Sequence, residues 1–314
     1  MATLKDIRSR ISSVKNINKI TRAMEMVAAA RLRRAEQRIE ELRPYAEAIR
    51  KMTRRASEAA ESLPKLPILE ERESPSRVGL LLVTGDRGLA GPFNSQIIRA
   101  GNNRGGELRR DGIDVAWYAS GKRGASSLSF RGYEPEDTFT GFTDRPAFSD
   151  ARAIADALTS AYVDEKVDRV EILYNGYISP MKQELRHETL LPLQQADILG
   201  GEEDDEDDED DEDGQEGTGG NGNGPDQSRS LWIYEPGPEE ILERLVPDYV
   251  EISIYRALLE STASEHGARM TAMRSASDNA SELIDDLTLE ANRTRQAEIT
   301  QEIMEVVAGA EGLQ

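Results

Sequence analysis

Seven residues carry a spacing that could hold a phosphate: Gly85-Asp86-Arg87-Gly88-Leu89-Ala90-Gly91. They follow a short apolar run and lead into a helical pattern. A glycine-rich turn at a helix N-terminus offers backbone N–H groups to an anion. Here the glycines step G-x-x-G-x-x-G, not G-x-G-x-x-G, and no Gly-Lys-Ser/Thr follows. The turn therefore reads as a tight bend or a partner-contact loop. A nucleotide-dependent enzyme is a competing reading, and it predicts nucleotide affinity for the isolated chain.

The other chemistry-bearing residues give less. Arg31, Arg33, Arg34 and Arg38 line a helical stretch and could meet nucleic acid, anionic lipid or an acidic protein surface. No aromatic residues interleave with them, which argues against single-stranded nucleic acid. Glu202 to Asp213 is an unbroken run of twelve acids without the ligand spacing of a calcium loop. The chain has no cysteine, and its two histidines, His187 and His266, cannot build a metal cluster unaided. Glu302 and Glu305 have no pocket-forming sequence around them, so they do not read as an acid/base pair. No catalytic residue, cofactor or metal is expected, and the chain reads as a non-enzyme.

Composition agrees with a protein built for shape. Of 314 residues, 38% are apolar, 31% charged and only 5% aromatic, which fits helices packed through Leu, Ile, Ala and Met. The net charge of −20 comes mostly from residues 201–228, with fourteen acids and no base. Followed by Gly, Asn and Pro, this insert cannot bury apolar surface and is expected to be disordered. Residues 1–60 hold fifteen Lys/Arg against seven Asp/Glu, whereas residues 239–314 hold six Arg against sixteen Asp/Glu. The two chain ends should attract each other. Val78 to Val83 is far too short to span a bilayer, and MATLKDIRSR has no apolar core of a signal peptide. A cytoplasmic protein without membrane insertion is expected.

Two long elements must position whatever the chain contacts. Thr3-Leu4-Lys5-Asp6 is a capping-box-like start. From there Leu4, Ile7, Ile11, Val14, Ile17, Ile20, Met24 and Val27 keep a step of three or four, continued by Ala28, Leu32, Ala35, Ile39, Leu42, Ala46 and Ile49. The threes from Val14 to Ile20 predict a local overwinding. Pro44 should kink the helix or divide it in two. The chain ends in a second seam: Met273, Ala276, Ala280, Leu283, Leu287 and Ala291. Each seam needs an equally long partner, so the two should pair antiparallel.

Between them the period changes. Arg77–Thr84, Ile113–Ser120 and Val167–Asn175 read as strands, residues 229–235 as a fourth, and Asp150–Asp164 as a helix. Strands alternating with helices predict a small parallel or mixed sheet with helices on its faces. Prolines 64, 67 and 75 mark one boundary, and Pro236, Pro238 and Pro247 punctuate the approach to the last helix. The expected domains are 1–62, an N-terminal shaft helix; 77–235, an α/β domain carrying the insert 201–228; and 239–314, a C-terminal shaft helix. A stand-alone coiled-coil tether with an α/β head is the alternative reading, and it predicts a homodimer.

Three stretches together resemble the gamma subunit of F-type ATP synthase. They are Ile7–Ile11 with Asn16–Glu36, then Asp86–Asn94, and then Ser264–Ile284 with Ile299–Gly312. Gly85, Ala90 and Pro92 stand where that family usually has Ser, Cys and Gly, and the acidic insert is not one of its general features. The resemblance implies a long antiparallel two-helix coiled coil of the N- and C-terminal helices plus a Rossmann-like α/β domain. It implies a rotor shaft in the hexamer of alpha and beta subunits, one gamma per three of each. The head would sit with the epsilon subunit on the membrane c ring, at the cytoplasmic face of the cell membrane. Partner contacts are expected at Arg22, Met24, Arg31, Arg33 and Arg34 toward the hexamer, and at Asp86 and Arg87 toward the c ring or epsilon. Glu302 and Glu305 are expected at the shaft's far end. The final helix should be locked to the first near Ser264–Ile284 and run past it near Ile299–Gly312.

Overall fold

The computed structural model describes residues 3–59, 66–72, 74–193 and 237–311. Helix α1 spans Leu4–Ala59, and the last helix, α5, spans Pro238–Glu311. Between them come β1 (Arg77–Val83), α2 (Phe93–Arg110), β2 (Asp114–Ser120), α3 (Lys122–Phe130), β3 (Asp137–Phe139), α4 (Phe148–Val163), β4 (Arg169–Ser179) and β5 (Lys182–Leu191).

The sheet has the order β3-β2-β1-β4-β5. The first four strands run parallel, and β5 returns antiparallel beside β4 as a hairpin. Strand β1 is central, and Val78–Val83 are all buried, which is why it reads as a continuous apolar run. On one face Leu81, Val83 and Tyr118 meet Ile154, Leu158 and Tyr162 of α4 and Val250, Ile254 and Leu258 of α5. On the other, Leu80, Leu82 and Trp117 meet Ile97 and Leu108 of α2 and Leu128 of α3. The mixed α/β head and the paired terminal helices match the expected fold class. Strands β3 and β5 were not legible as strands. The segment 229–235 and the acidic insert 201–228 lie outside the described residues.

Helix α1 opens with the expected box: Thr3 Oγ1 accepts from Asp6 N at 3.3 Å, and Asp6 Oδ2 accepts from Thr3 N at 3.1 Å. Pro44 does not divide the helix. Its missing donor frees the carbonyl of Glu40, and both residues are exposed, so water can satisfy that carbonyl. Likewise α5 begins at Pro238, where a missing N–H is harmless, and runs straight through exposed Pro247.

The helices pair antiparallel, Leu32 and Ala35 against Ala263 and Ile49 against Leu245 and Ile252. Buried and half-buried positions of α1 form a row at 4, 7, 11, 14, 18, 21, 25, 28, 32, 35, 39, 42, 46, 49, 53 and 56, with 24, 29, 31, 36 and 38 half-buried beside it. That is an unbroken alternation of threes and fours, a period of 3.5. The expected overwinding between Val14 and Ile20 is absent. Asn18, Thr21 and Glu25 hold the seam there, while Ile17, Ile20 and Val27 are each more than half exposed. On α5 the row is 273, 277, 280, 284, 287, 291 and 294. Ser277 is buried beside half-buried Ala276, and Ile284 takes the place expected for Leu283, which is exposed.

Candidate functional site

A stretch of α5 with small and polar residues, Ala257-Leu-Leu-Glu-Ser-Thr-Ala-Ser-Glu-His-Gly-Ala-Arg269, is buried at every one of its thirteen positions. An ordinary amphipathic helix buries one stripe. Here small side chains let neighbours close in from all sides. Leu32 and Ala35 of α1 press on Ala263. The tip of the β4–β5 hairpin meets Gly267, where a Cβ would stand 3.1 Å from the Pro180 carbonyl oxygen. The loop after β1 and the loop before α4 close the remaining side. The head thus forms a collar around α5.

Charged and polar groups line this collar and must find partners there. The Thr262 hydroxyl lies 2.9 Å from the Thr143 carbonyl oxygen. Arg269 pairs with Glu265 one turn back and also reaches the Gly88 carbonyl at 3.3 Å. Burial pushes the Glu265 carboxyl above its usual range, against the pull of the Arg269 cation. His266 is fully buried beside Arg269, with Nδ1 3.3 Å from the guanidinium and Nε2 unpartnered. Burial, reinforced by that cation, pushes its pKa down to about 4, so the ring is neutral.

The loop after β1 is consumed in the same construction. Asp86 Oδ1 accepts from Lys122 N at 3.0 Å, and Oδ2 accepts from Gly141 N at 2.9 Å and from the Thr143 hydroxyl at 3.1 Å. Gly85 N–H donates to the Asn94 side chain at 2.8 Å, and Asp86 N–H to Thr143 Oγ1 at 2.9 Å. These two amides of the glycine-rich turn are thus spent on the chain itself. A space of about 10 Å³ beside Thr84, Thr143 and Glu265 has room for one water. Among the described residues no group of His, Cys, Asp and Glu is arranged to hold a metal ion. At the loop's crest Leu89 sits in the left-handed region (φ 62°) and is two-thirds exposed. An apolar side chain held in that strained position has no use inside the head.

The structure brings some of the singled-out residues together. Arg31 of α1 and Arg87 of the loop converge on Asp144, at 2.8 and 3.2 Å, one residue from Thr143, which holds Asp86. These cations outweigh the burial that would raise the Asp144 carboxyl and hold it below its usual range. Arg33 and Arg34 are exposed, on the outer side of α1 between its collar contacts Leu32 and Ala35. Arg22 is exposed and Met24 half-buried farther up the stalk. Glu302 and Glu305 are exposed near the end of α5, about 50 Å beyond Arg269 at 1.5 Å per residue. Sequence reasoning missed Thr143, Asp144, Glu260 and Glu265. The only available signal was a density of charged and hydroxyl residues within an otherwise small-residue helix.

Above the collar the stalk thins. At its middle Asn18 Nδ2 donates to the Ser277 carbonyl at 3.1 Å and to Ser281 Oγ at 2.7 Å, and Arg274 pairs with Glu25 at 2.9 Å. Past Leu287, α5 runs on beyond the start of α1, and Ile299, Ile303, Met304 and Val306 are exposed. Such a row of apolar groups on a slim projecting helix marks a contact surface.

Known proteins resemble this chain along its whole length. A family profile described as ATP synthase matches residues 3–313. The ATP synthase gamma chain of Rubrobacter xylanophilus is 40% identical over 314 residues, covering 100% of this chain and 99% of its own. That of Acaryochloris marina is 43% identical over 321 positions, covering both chains completely. In the solved mitochondrial ATP synthase of Euglena gracilis, an assembly of OSCP, F1 and c-ring, one chain superposes with a TM-score of 0.66 at 18% identity, over 99% of this chain and 94% of that one. A chain from the central stalk and c-ring of the Tetrahymena thermophila enzyme gives 0.57 at 24% identity, over 82% and 99%. With the family profile spanning the stalk, the collar and the head alike, the chain belongs to the gamma chains of ATP synthase.

Proposed function

We infer that this chain is the central-stalk rotor of a proton-translocating F-type ATP synthase, carrying rotation of a membrane c ring into a catalytic alpha/beta hexamer. One observation carries the reading: the paired helices leave a globular head, and α5 ends alone with exposed Ile299, Ile303, Met304 and Val306. A shaft must be stiff, asymmetric and free to slide. Two seam-paired helices supply stiffness, their unequal lengths supply asymmetry, and a slim end without a bulky aromatic anchor suits a bearing.

The hexamer would enclose the upper stalk. The outward row Ile17, Ile20 and Val27, next to Arg22 and half-buried Met24, gives it an apolar strip rimmed by charge, with Arg33 and Arg34 below. Glu302 and Glu305 would lie in the bearing itself. Exposed Arg87 and Leu89 would meet the c ring or the epsilon subunit, with Asp86 and Arg31 shaping that loop from within. The chain would contribute no catalytic group, the chemistry belonging to the hexamer. No helix among the described residues is long and apolar enough to cross a membrane. Attachment would be peripheral, through the ring, at the cytoplasmic face.

Co-expression with alpha and beta subunits tests this directly. A complex of one copy with three of each, whose ATPase is activated by the chain, is the expected result. A stable homodimer that ignores the hexamer would replace the reading with a tether. Within the complex, Arg33→Glu with Arg34→Glu is expected to lower proton pumping per ATP hydrolysed, and unchanged pumping would remove those two residues from the contact.

A further inference from the structure

The apolar contacts between head and α5 fix a distance but not an angle. Val250, Ile254, Ala257 and Leu258 lie against the sheet as a smooth face, and hydrophobic contact is non-directional. A second set of contacts has a definite pattern. On β5, Arg186 and Glu188 are two residues apart on one face of the strand, about 7 Å along it. On α5, Arg256 and Glu260 are one turn apart, about 6 Å along the axis. The spacings match and the charges are crossed: Arg186 meets Glu260 at 3.1 Å, and Arg256 meets Glu188 at 2.9 Å.

The neighbours fit this square. Tyr174 of β4 donates its hydroxyl to the other Glu188 oxygen at 2.6 Å. Gly176 leaves the space for Arg186, since a Cβ there would stand 2.5 Å from Nε. If α5 slid by one turn, Glu260 would face Glu188 or Arg256 would face Arg186. If α5 turned by one residue, both acceptors would leave the strand. The pattern accepts one axial and one angular setting.

Among the described residues, helix α1 also makes polar contacts with the head, Arg31 with Asp144 and Glu36 with the Tyr177 hydroxyl, both toward loop or hairpin ends.

We propose that the crossed pairs Arg186–Glu260 and Arg256–Glu188 are positioning residues that key the angle of α5 to the head, so that torque passes between them without slip. The proposal rests on the rotor reading. A buried or half-buried ion pair adds little net stability compared with an apolar pair of the same shape, so the role assigned to these pairs is selection of one arrangement.

The test uses the assembled enzyme in membrane vesicles, measuring ATP hydrolysis and ATP-driven proton pumping on the same sample. Glu260→Arg alone is expected to cut protons pumped per ATP hydrolysed several-fold, and the reciprocal pair Arg186→Glu with Glu260→Arg to restore most of it. Because the single reversal could also disturb folding, Arg186→Met with Glu260→Leu keeps the shape and removes the key. It is expected to assemble and hydrolyse ATP while pumping less per ATP. Unchanged pumping per ATP in the Met/Leu enzyme, or no rescue by the reciprocal pair, would overturn the proposal. So would hydrolysis and pumping falling together in the Met/Leu enzyme, which would mean that the pairs hold the assembly together and do not set its angle. If vesicles with the native chain do not pump at all, the rotor reading itself fails instead.

Discussion

Two lengths of one helix follow opposite rules. Residues 257–269 of α5 are buried on every side and rich in charge, whereas residues 295–306 are exposed on every side and expose apolar groups. In a protein of fixed surroundings this would be the wrong way round. It becomes reasonable if the first length must hold its neighbours in one setting and the second must touch a partner without being held. Directional contacts belong where slip is harmful, and non-directional ones where slip is the task.

Arg269→Ala attacks that contrast where it is sharpest. It strands the Glu265 carboxylate in the collar, and loss of one member of a buried pair costs about 3–5 kcal/mol. Urea denaturation of the isolated chain should register this as a lower midpoint. Leu258→Ala removes a core side chain between α5 and the sheet and should cost about 2–5 kcal/mol in the same measurement.

Acid should act on the collar before it acts on the rest. His266 is neutral when folded, with its pKa near 4 against an ordinary 6.5. Between these values the unfolded chain binds a proton that the folded chain does not. Stability therefore falls as pH drops from about 6.5 to 4, by up to about 1.4 kcal/mol per pH unit, and this contribution is flat outside that window. His266→Gln should flatten that part of the profile. Glu171 titrates lower. Bonds from Arg104 and His187 outweigh its burial and hold its pKa near 2, so its contribution is complete above about 4.5 and is lost as pH falls toward 2.

The smallest effect is expected at the free end. Ile303→Ser should leave the denaturation midpoint of the isolated chain within about 0.5 kcal/mol, because that side chain is more than half exposed. A large loss there would mean that the end is held by its own chain, and the contrast between the two lengths would dissolve.

The paired helices were readable from their 3- and 4-residue steps, and the central strands from their apolar runs. The exact seam was not. Following apolar residues alone leads to Ile17 and Ile20, but the strict period puts Asn18 and Thr21 inside, because Ser277 and Ser281 satisfy Asn18 across the seam. Strand β5 was hidden by its charges, which serve α5 rather than the sheet core. The collar was hidden for another reason. Thr143 and Gly88 lie more than a hundred residues from Thr262 and Arg269, and nothing local announces that meeting. Asp86 and Arg87 drew notice by their glycine-rich turn, yet its chemistry proved to be architectural.

The unbroken 3.5-residue period of α1 has a mechanical consequence. A seam of that period winds two helices around each other to the left. Such a pair resembles a two-strand rope, for which the two directions of twist are not equivalent. One direction tightens the lay and presses the close-packed row at Ala28, Leu32 and Ala35 against α5. The other slackens it, and the level of Asn18 and Ser277, joined by hydrogen bonds instead of close-packed methyl groups, is where the strands would part first. The handedness of the sequence period thus gives the stalk a preferred sense of load.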